Sequence, residues 1–223
     1  MKDSDHKTMN YYSRREEIAN SLTHGAGAVL SLLGLVYLLI RAVQLGNAWH
    51  VVSFSIYGVS LFLLYLASTL YHSIPILEWK RVLKKLDHSA IFLLIAGTVT
   101  PFALLTISGT LATVILIAVW TGAVVGIAIE LLWIGSPKWV SVIVYLVVGW
   151  IGAVAFPAIV GSAGIAAGLL IATGGILYTV GAVVYATRRP DPVPSKFGYH
   201  EVFHLLVVGA AGAHFAAVAL FAL

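Results

Sequence analysis

His200, Glu201 and His204 stand in the run FGYHEVFHLL as a literal His-Glu-x-x-His. On a helix, residues four apart share a face, so the two imidazoles would project together. Two such ligands with a glutamate base beside them are what zinc-dependent hydrolysis uses. The same run opens the last apolar stretch of the chain. A metalloprotease, a metal site of another kind, and a coincidence of spelling in a membrane helix are all open at this point.

The elements that must position these residues are membrane helices. Only 10% of the 223 residues are charged, 60% are hydrophobic and the mean hydropathy is +0.98. Soluble domains carry about a quarter charged residues. Seven apolar segments are each near the ~20 residues that a bilayer core demands: Leu22–Ile40, His50–Tyr71, Ser89–Ile107, Leu111–Trp133, Val140–Val160, Ile165–Thr187 and Val202–Leu223. They do not alternate polar with apolar, which excludes barrel strands. The expected fold is therefore all-α, a seven-transmembrane helix bundle over residues 21–223 behind a polar cytoplasmic segment at 1–20. That segment lacks the apolar centre of a signal peptide, so the first span is expected to act as its own insertion signal. Pro101 and Pro157 fall inside spans as expected kinks. The pairs Gly122/Gly126 and Gly164/Gly168 have the spacing of close helix packing. Absence of cysteine excludes disulfides and thiolate metal sites. With no basic cluster interleaved with exposed aromatics, nucleic acid is not an expected partner, despite a net charge of +4.

Basic residues set the expected orientation. With a cytoplasmic N-terminus, the inner side receives Lys2, Lys7, Arg14, Arg15, Lys80, Arg81, Lys84, Lys85, Lys138, Arg188, Arg189 and Lys196, and the outer side only Arg41 of the 13. This bias places the N-terminus inside and the C-terminus outside. It also brings distant polar residues to one depth. His72 ends the second span, Asp87 precedes the third, and His200 and His204 begin the seventh, all on the inner side. Ionisable groups at membrane depth are expensive and point to function. Imidazoles suit zinc, and three protein ligands plus a water form a catalytic-type site. His72 is the natural third ligand, with Ser68 one turn before it. Asp87 could hydrogen-bond the metal's water or hold a ligand's ring.

The runs STLYHS (68–73), LDHSAIFLLIAGTVTP (86–101) and FGYHEVFHLL, with EEIANSLTHGAG (16–27) opening the first span, resemble the hemolysin III family. That family is related to the progestin and adipoQ receptors and, more remotely, to alkaline ceramidases. The resemblance covers nearly the whole chain in the family's motif order. It implies a zinc site held by His72, His200 and His204 near the cytoplasmic face, with Asp87 positioning the water and Ser68 nearby. Glu17, Asn20 and His24 resemble the family's Glu-x-x-Asn-x-x-x-His, for which helix packing and catalysis are both open roles. His88 and His214 are expected to be hydrogen-bonded within the bundle, and His50 and His6 to lie on the surface.

The leading function is thus a zinc-dependent, hydrolase-like or receptor-like protein of the bacterial inner membrane. It would act on a lipid amide or ester in membrane lipid homeostasis, with membrane lipids as partners and no protein partner indicated. One alternative is an intramembrane metalloprotease with Glu201 as base. Against it, only 19 residues follow His204 and none is acidic, so no downstream aspartate can supply a third ligand. Another is pore formation and cytolysis, which the family name suggests. No strongly amphipathic, detachable helix is evident for that role.

The charge bias makes a prediction. Alkaline phosphatase fused to the C-terminus should be active, and an N-terminal tag should be protease-protected in intact cells. The opposite pattern would overturn the shared depth of the polar residues.

Overall fold

The computed structural model describes residues 12–133 and 137–222. Lys2, His6 and Lys7, together with the side chain of Lys138, lie outside the described residues. Regular structure in the described residues is helical, apart from one isolated bridge between Val193 and Phe197. The helices are α1 (Arg14–Leu45), α2 (Ala48–Ser73), α3 (Leu77–Pro101), α4 (Gly109–Leu132), α5 (Lys138–Ile151), α6 (Phe156–Ala163), α7 (Ile165–Thr187) and α8 (Tyr199–Phe221). A π-helical stretch, Phe102–Thr106, prolongs α3, and a 3₁₀ turn, Gly152–Ala155, joins α5 to α6. Seven spans of 23–32 residues result, with α5, the 3₁₀ turn and α6 forming one of them. All exceed the ~20 residues needed to cross hydrocarbon.

Each expected span is present, and several helices outrun their apolar stretch. α1 starts at Arg14 because Ser13 caps it: Ser13 Oγ accepts from the Glu16 amide at 3.3 Å, and Glu16 Oε2 accepts from the Ser13 amide at 2.7 Å. This reciprocal box satisfies two end amides that apolar residues could not. α3 likewise starts at Leu77, twelve residues before the expected span, so Asp87 lies inside a helix rather than ahead of one.

The prolines sit where the spans change pitch. Pro101 closes α3 at the π-helical stretch, and Pro157 stands in the first turn of α6 after the 3₁₀ turn. Such local adjustments re-satisfy the backbone groups that proline frees. Gly164 corrects an expectation. Its φ of +85° puts it in the break between α6 and α7, a backbone geometry glycine reaches without a Cβ clash, so it is a turn residue and not half of a helix-packing pair.

Neighbouring spans pack side by side, and α8 closes the ring against α1. In lipid there is no apolar driving force between helices, so close approach depends on small residues. Gly27 lies beneath the ring of Tyr65, where an added Cβ would fall 2.6 Å from Tyr65 Cδ1. Gly126 and Phe92 make a similar fit between α4 and α3. Large apolar side chains such as Leu33, Ile117 and Val154 point outward instead. α1 and α8 run parallel in constant register, since Asn20 meets Glu201 and Gly34 meets Phe215.

His50 is a second correction. It was expected on the surface, yet it is buried in the first turn of α2 with its ring edge-on to Phe54. His50 falls on the same face as Ser53, Phe54 and Tyr57, all of which turn into the bundle.

Overpacking a tight helix contact costs about 1–3 kcal/mol. Gly27→Val should therefore lower the thermal midpoint of the detergent-solubilised protein. Gly149→Ala, where an added Cβ meets nothing within 4 Å, should leave it unchanged. Equal midpoints for both variants would contradict this packing.

Candidate metal centre

The polar residues gather at the end of the bundle where α1 and α8 begin and α2 ends. His72 is in the last turn of α2, and His200 and His204 lie in the first two turns of α8. All three are buried, and one ligand nitrogen from each lies within 4.8 Å of the others. His72 Nε2 and His200 Nε2 are 3.2 Å apart. Two nitrogens bound tetrahedrally to one zinc would be about 3.3 Å apart, given bonds of about 2.0–2.1 Å. A hydrogen bond would also fit that pair. The third imidazole in the same small volume is what a shared ion explains and a single hydrogen bond does not. This cluster could hold a metal ion.

The surroundings of His72 fit that use. Its Nδ1 lies 2.6 Å from Glu17 Oε2, while Glu17 Oε1 accepts a hydrogen bond from Lys80 Nζ at 2.6 Å. A carboxylate on Nδ1 fixes the proton there and leaves the Nε2 lone pair facing the cluster. This is the usual outer partner of a metal-binding histidine. Lys80 is itself buried, and its ammonium lies over the Tyr71 ring at 5.0 Å. The expectation left the role of Glu17 open; the geometry puts it behind His72.

Asn20 and His24 serve the other side of the cluster. Asn20 Nδ2 donates to Glu201 Oε1 at 2.6 Å, and the Gly198 amide donates to Glu201 Oε2 at 2.7 Å. Both Glu201 oxygens are thus committed to capping α8 and tying it to α1. His24 stacks flat on His204, with ring centroids 3.5 Å apart and planes 8° from parallel. Tyr12, just ahead of α1, stacks on His200 at 4.6 Å. Burial first, then the neighbouring Tyr199 and Tyr185 phenols, push the Tyr12 phenol well above its usual range, so it stays a neutral hydroxyl.

Asp87 and Ser68 lie one step deeper. Both are buried and line a cavity of about 580 Å³ that His24 and His204 also line. Ser68 Oγ lies near the Asp87 carboxyl without a well-formed hydrogen bond to it. Beyond them the cavity is apolar, bounded by side chains such as Ile95, Phe102, Trp150 and Phe156.

His214 lines the deeper part of the cavity and faces the Ile171 carbonyl at 3.1 Å, away from the metal-competent cluster, as expected. His88 also pairs within the bundle, with Glu130 Oε2 3.3 Å from its Nδ1. Glu130 was missed from the sequence. It is the one acidic residue in the fourth apolar span, and intramembrane carboxylates point to function by default.

The chain matches known proteins over most of its length. The haemolysin-III related family model matches residues 12–215. The hemolysin-3 homolog of Bacillus subtilis is 43% identical over 204 residues, covering 92% of this chain and 93% of the relative. Hemolysin-3 of Bacillus cereus is 42% identical over 210 residues, covering 94% and 93%. The human monocyte to macrophage differentiation factor is 28% identical over 211 residues, covering 91% of this chain and 83% of the relative. The chain is a polytopic membrane protein and belongs to the hemolysin III family.

Proposed function

We propose that this protein is a zinc-dependent hydrolase-like enzyme of the bacterial plasma membrane, acting on an amide or ester bond of a membrane lipid. The observation that carries this reading is the convergence of three buried imidazoles from two helices on one small volume, with His204 among them lining an apolar cavity. The ion's contribution, when bound, is a water acidified toward neutral pH and a polarised carbonyl, the two requirements of amide or ester hydrolysis.

His72, His200 and His204 are the proposed ligands. Glu17 holds the His72 ring with its Nε2 toward the ion, and Lys80 holds Glu17. Asp87 is the proposed base: its carboxyl orients the attacking water and takes a proton from it. Ser68 shares the Asp87 side of the cavity and is placed to hydrogen-bond the water or the substrate carbonyl. The apolar cavity suits an acyl chain, with its carbonyl drawn to the histidines and its head group at the polar end. The basic-residue bias supports a cytoplasmic setting for that end.

Against the metalloprotease alternative, Glu201 Oε2 accepts from the Gly198 amide in the cap of α8 and Oε1 accepts from Asn20 of α1, which occupies the carboxylate that would serve as base. Pore formation draws support from the names of the two Bacillus relatives, and dye leakage from liposomes would favour it over hydrolysis.

The ligand set is tested by metal analysis of the purified protein. About one zinc per chain is expected. His72→Ala and His204→Ala should each strip it, whereas His214→Ala should keep it. Glu17→Gln should weaken zinc binding by about 10–100-fold, the usual effect of removing a ligand's outer partner. Asp87→Asn should retain zinc yet abolish fatty-acid release, and Glu201→Gln should retain both. Because the ligands must be neutral imidazoles, zinc binding should also weaken as pH is lowered. Full zinc retention by His72→Ala would sink the site.

A further inference from the structure

The cavity has a second set of chemically capable groups that the metal-centred scheme does not use. His88 follows Asp87 on α3 and lines the same cavity. Its Nδ1 lies 3.3 Å from Glu130 Oε2, joining α3 to α4. Tyr145 of α5 completes the group: its hydroxyl, with one proton for two acceptors, lies 3.3 Å from Glu130 Oε1 and 3.2 Å from the His88 carbonyl. The Tyr185 ring of α7, which also lines the cavity, neighbours both groups, 6.4 Å from the His88 centroid and 5.8 Å from that of His200. His88 lines the cavity and Glu130 does not, so histidine, not glutamate, is the member presented to it.

Sequence-distant helices have thus assembled an imidazole oriented by a carboxylate, which is in turn held by a phenol. In such an arrangement the carboxylate fixes the ring's tautomer and stabilises the imidazolium, leaving Nε2 to exchange protons. A purely structural link between α3 and α4 would not need to lie on a cavity shared with Asp87.

We infer that His88, backed by Glu130, is the general acid that protonates the leaving group. This rests on the hydrolase reading and deepens it: the cleaved bond has a leaving group too basic to depart as an anion, an alkylamine or alcohol of a lipid head group. In the step, the water oxygen bonds to the acyl carbon and gives a proton to Asp87. The bond from that carbon to nitrogen or oxygen breaks, and its electron pair takes the proton from His88 Nε2. The products are a fatty acid and a neutral amine or alcohol. Proton transfer from Asp87 back to His88, through water in the cavity, restores both groups. No oxidant or further reactant is needed.

The test varies the leaving group at constant acyl chain in the purified zinc-loaded protein. Octanoate release is followed from p-nitrophenyl octanoate, whose phenolate departs unprotonated near neutral pH, and from N-hexyl octanamide, whose amine cannot. His88→Ala should lower the amide rate by about 10²–10⁴-fold, the range for general acid catalysis, and change the ester rate by only about twofold. Imidazole in the buffer should restore part of the amide rate. Glu130→Gln should show the same selectivity with a smaller loss. Zinc content of both variants should match the parent. Equal losses on amide and ester, or no selectivity in either variant, would overturn the general-acid role while leaving the hydrolase reading intact. No release from either substrate by the parent protein would remove the hydrolase reading and this role with it.

Discussion

A single carboxylate, that of Glu17, joins the first three helices at the polar end of the bundle. One oxygen meets His72 Nδ1 and the other receives the Lys80 ammonium, each at 2.6 Å. In a membrane protein these groups cannot rely on bulk water, so each must be satisfied by the chain itself. Once Glu17 is held by Lys80, the ring of His72 is fixed in orientation and tautomer. The two α8 histidines then have a defined partner. Breaking the Lys80–Glu17 pair from one side is typically more damaging than replacing the whole pair.

The opposite side of the cluster follows the same logic with different groups. Asn20 reaches Glu201, which caps α8, so the same first helix that orients His72 also sets where α8 starts. Because His200 and His204 fall in the first two turns of α8, that cap fixes their height relative to His72. His24, stacked on His204, extends the contact one turn further. The motif Glu17, Asn20, His24 therefore serves as one face of α1 that positions the histidine-bearing helices α2 and α8.

Much of this was legible in the residues themselves. Apolar run length revealed seven helices, and their alternation put His72, Asp87, His200 and His204 at one membrane end before any geometry was known. Helix starts were less legible, because α1 and α3 begin in polar sequence where hydropathy gives no signal: the Ser13 cap starts α1, and α3 starts without a side-chain cap. The buried state of His50 and the turn role of Gly164 depend on packing and backbone angle, which residue spacing does not encode. The partners of Glu17 lie 55 and 63 positions away. Nothing local distinguishes that glutamate from the adjacent Glu16, which caps α1. The His88–Glu130–Tyr145 group was hidden for the same reason: its members come from three helices, and only their packing brings them together.

The central claim is that three imidazoles from α2 and α8 hold one zinc ion with a position left for water. X-ray absorption at the zinc edge on purified protein measures this directly. The account predicts three imidazole nitrogens and one further light ligand at about 2.0–2.1 Å. Two or fewer imidazoles around the metal, or a protein that stays metal-free when zinc is supplied without chelator, would contradict it.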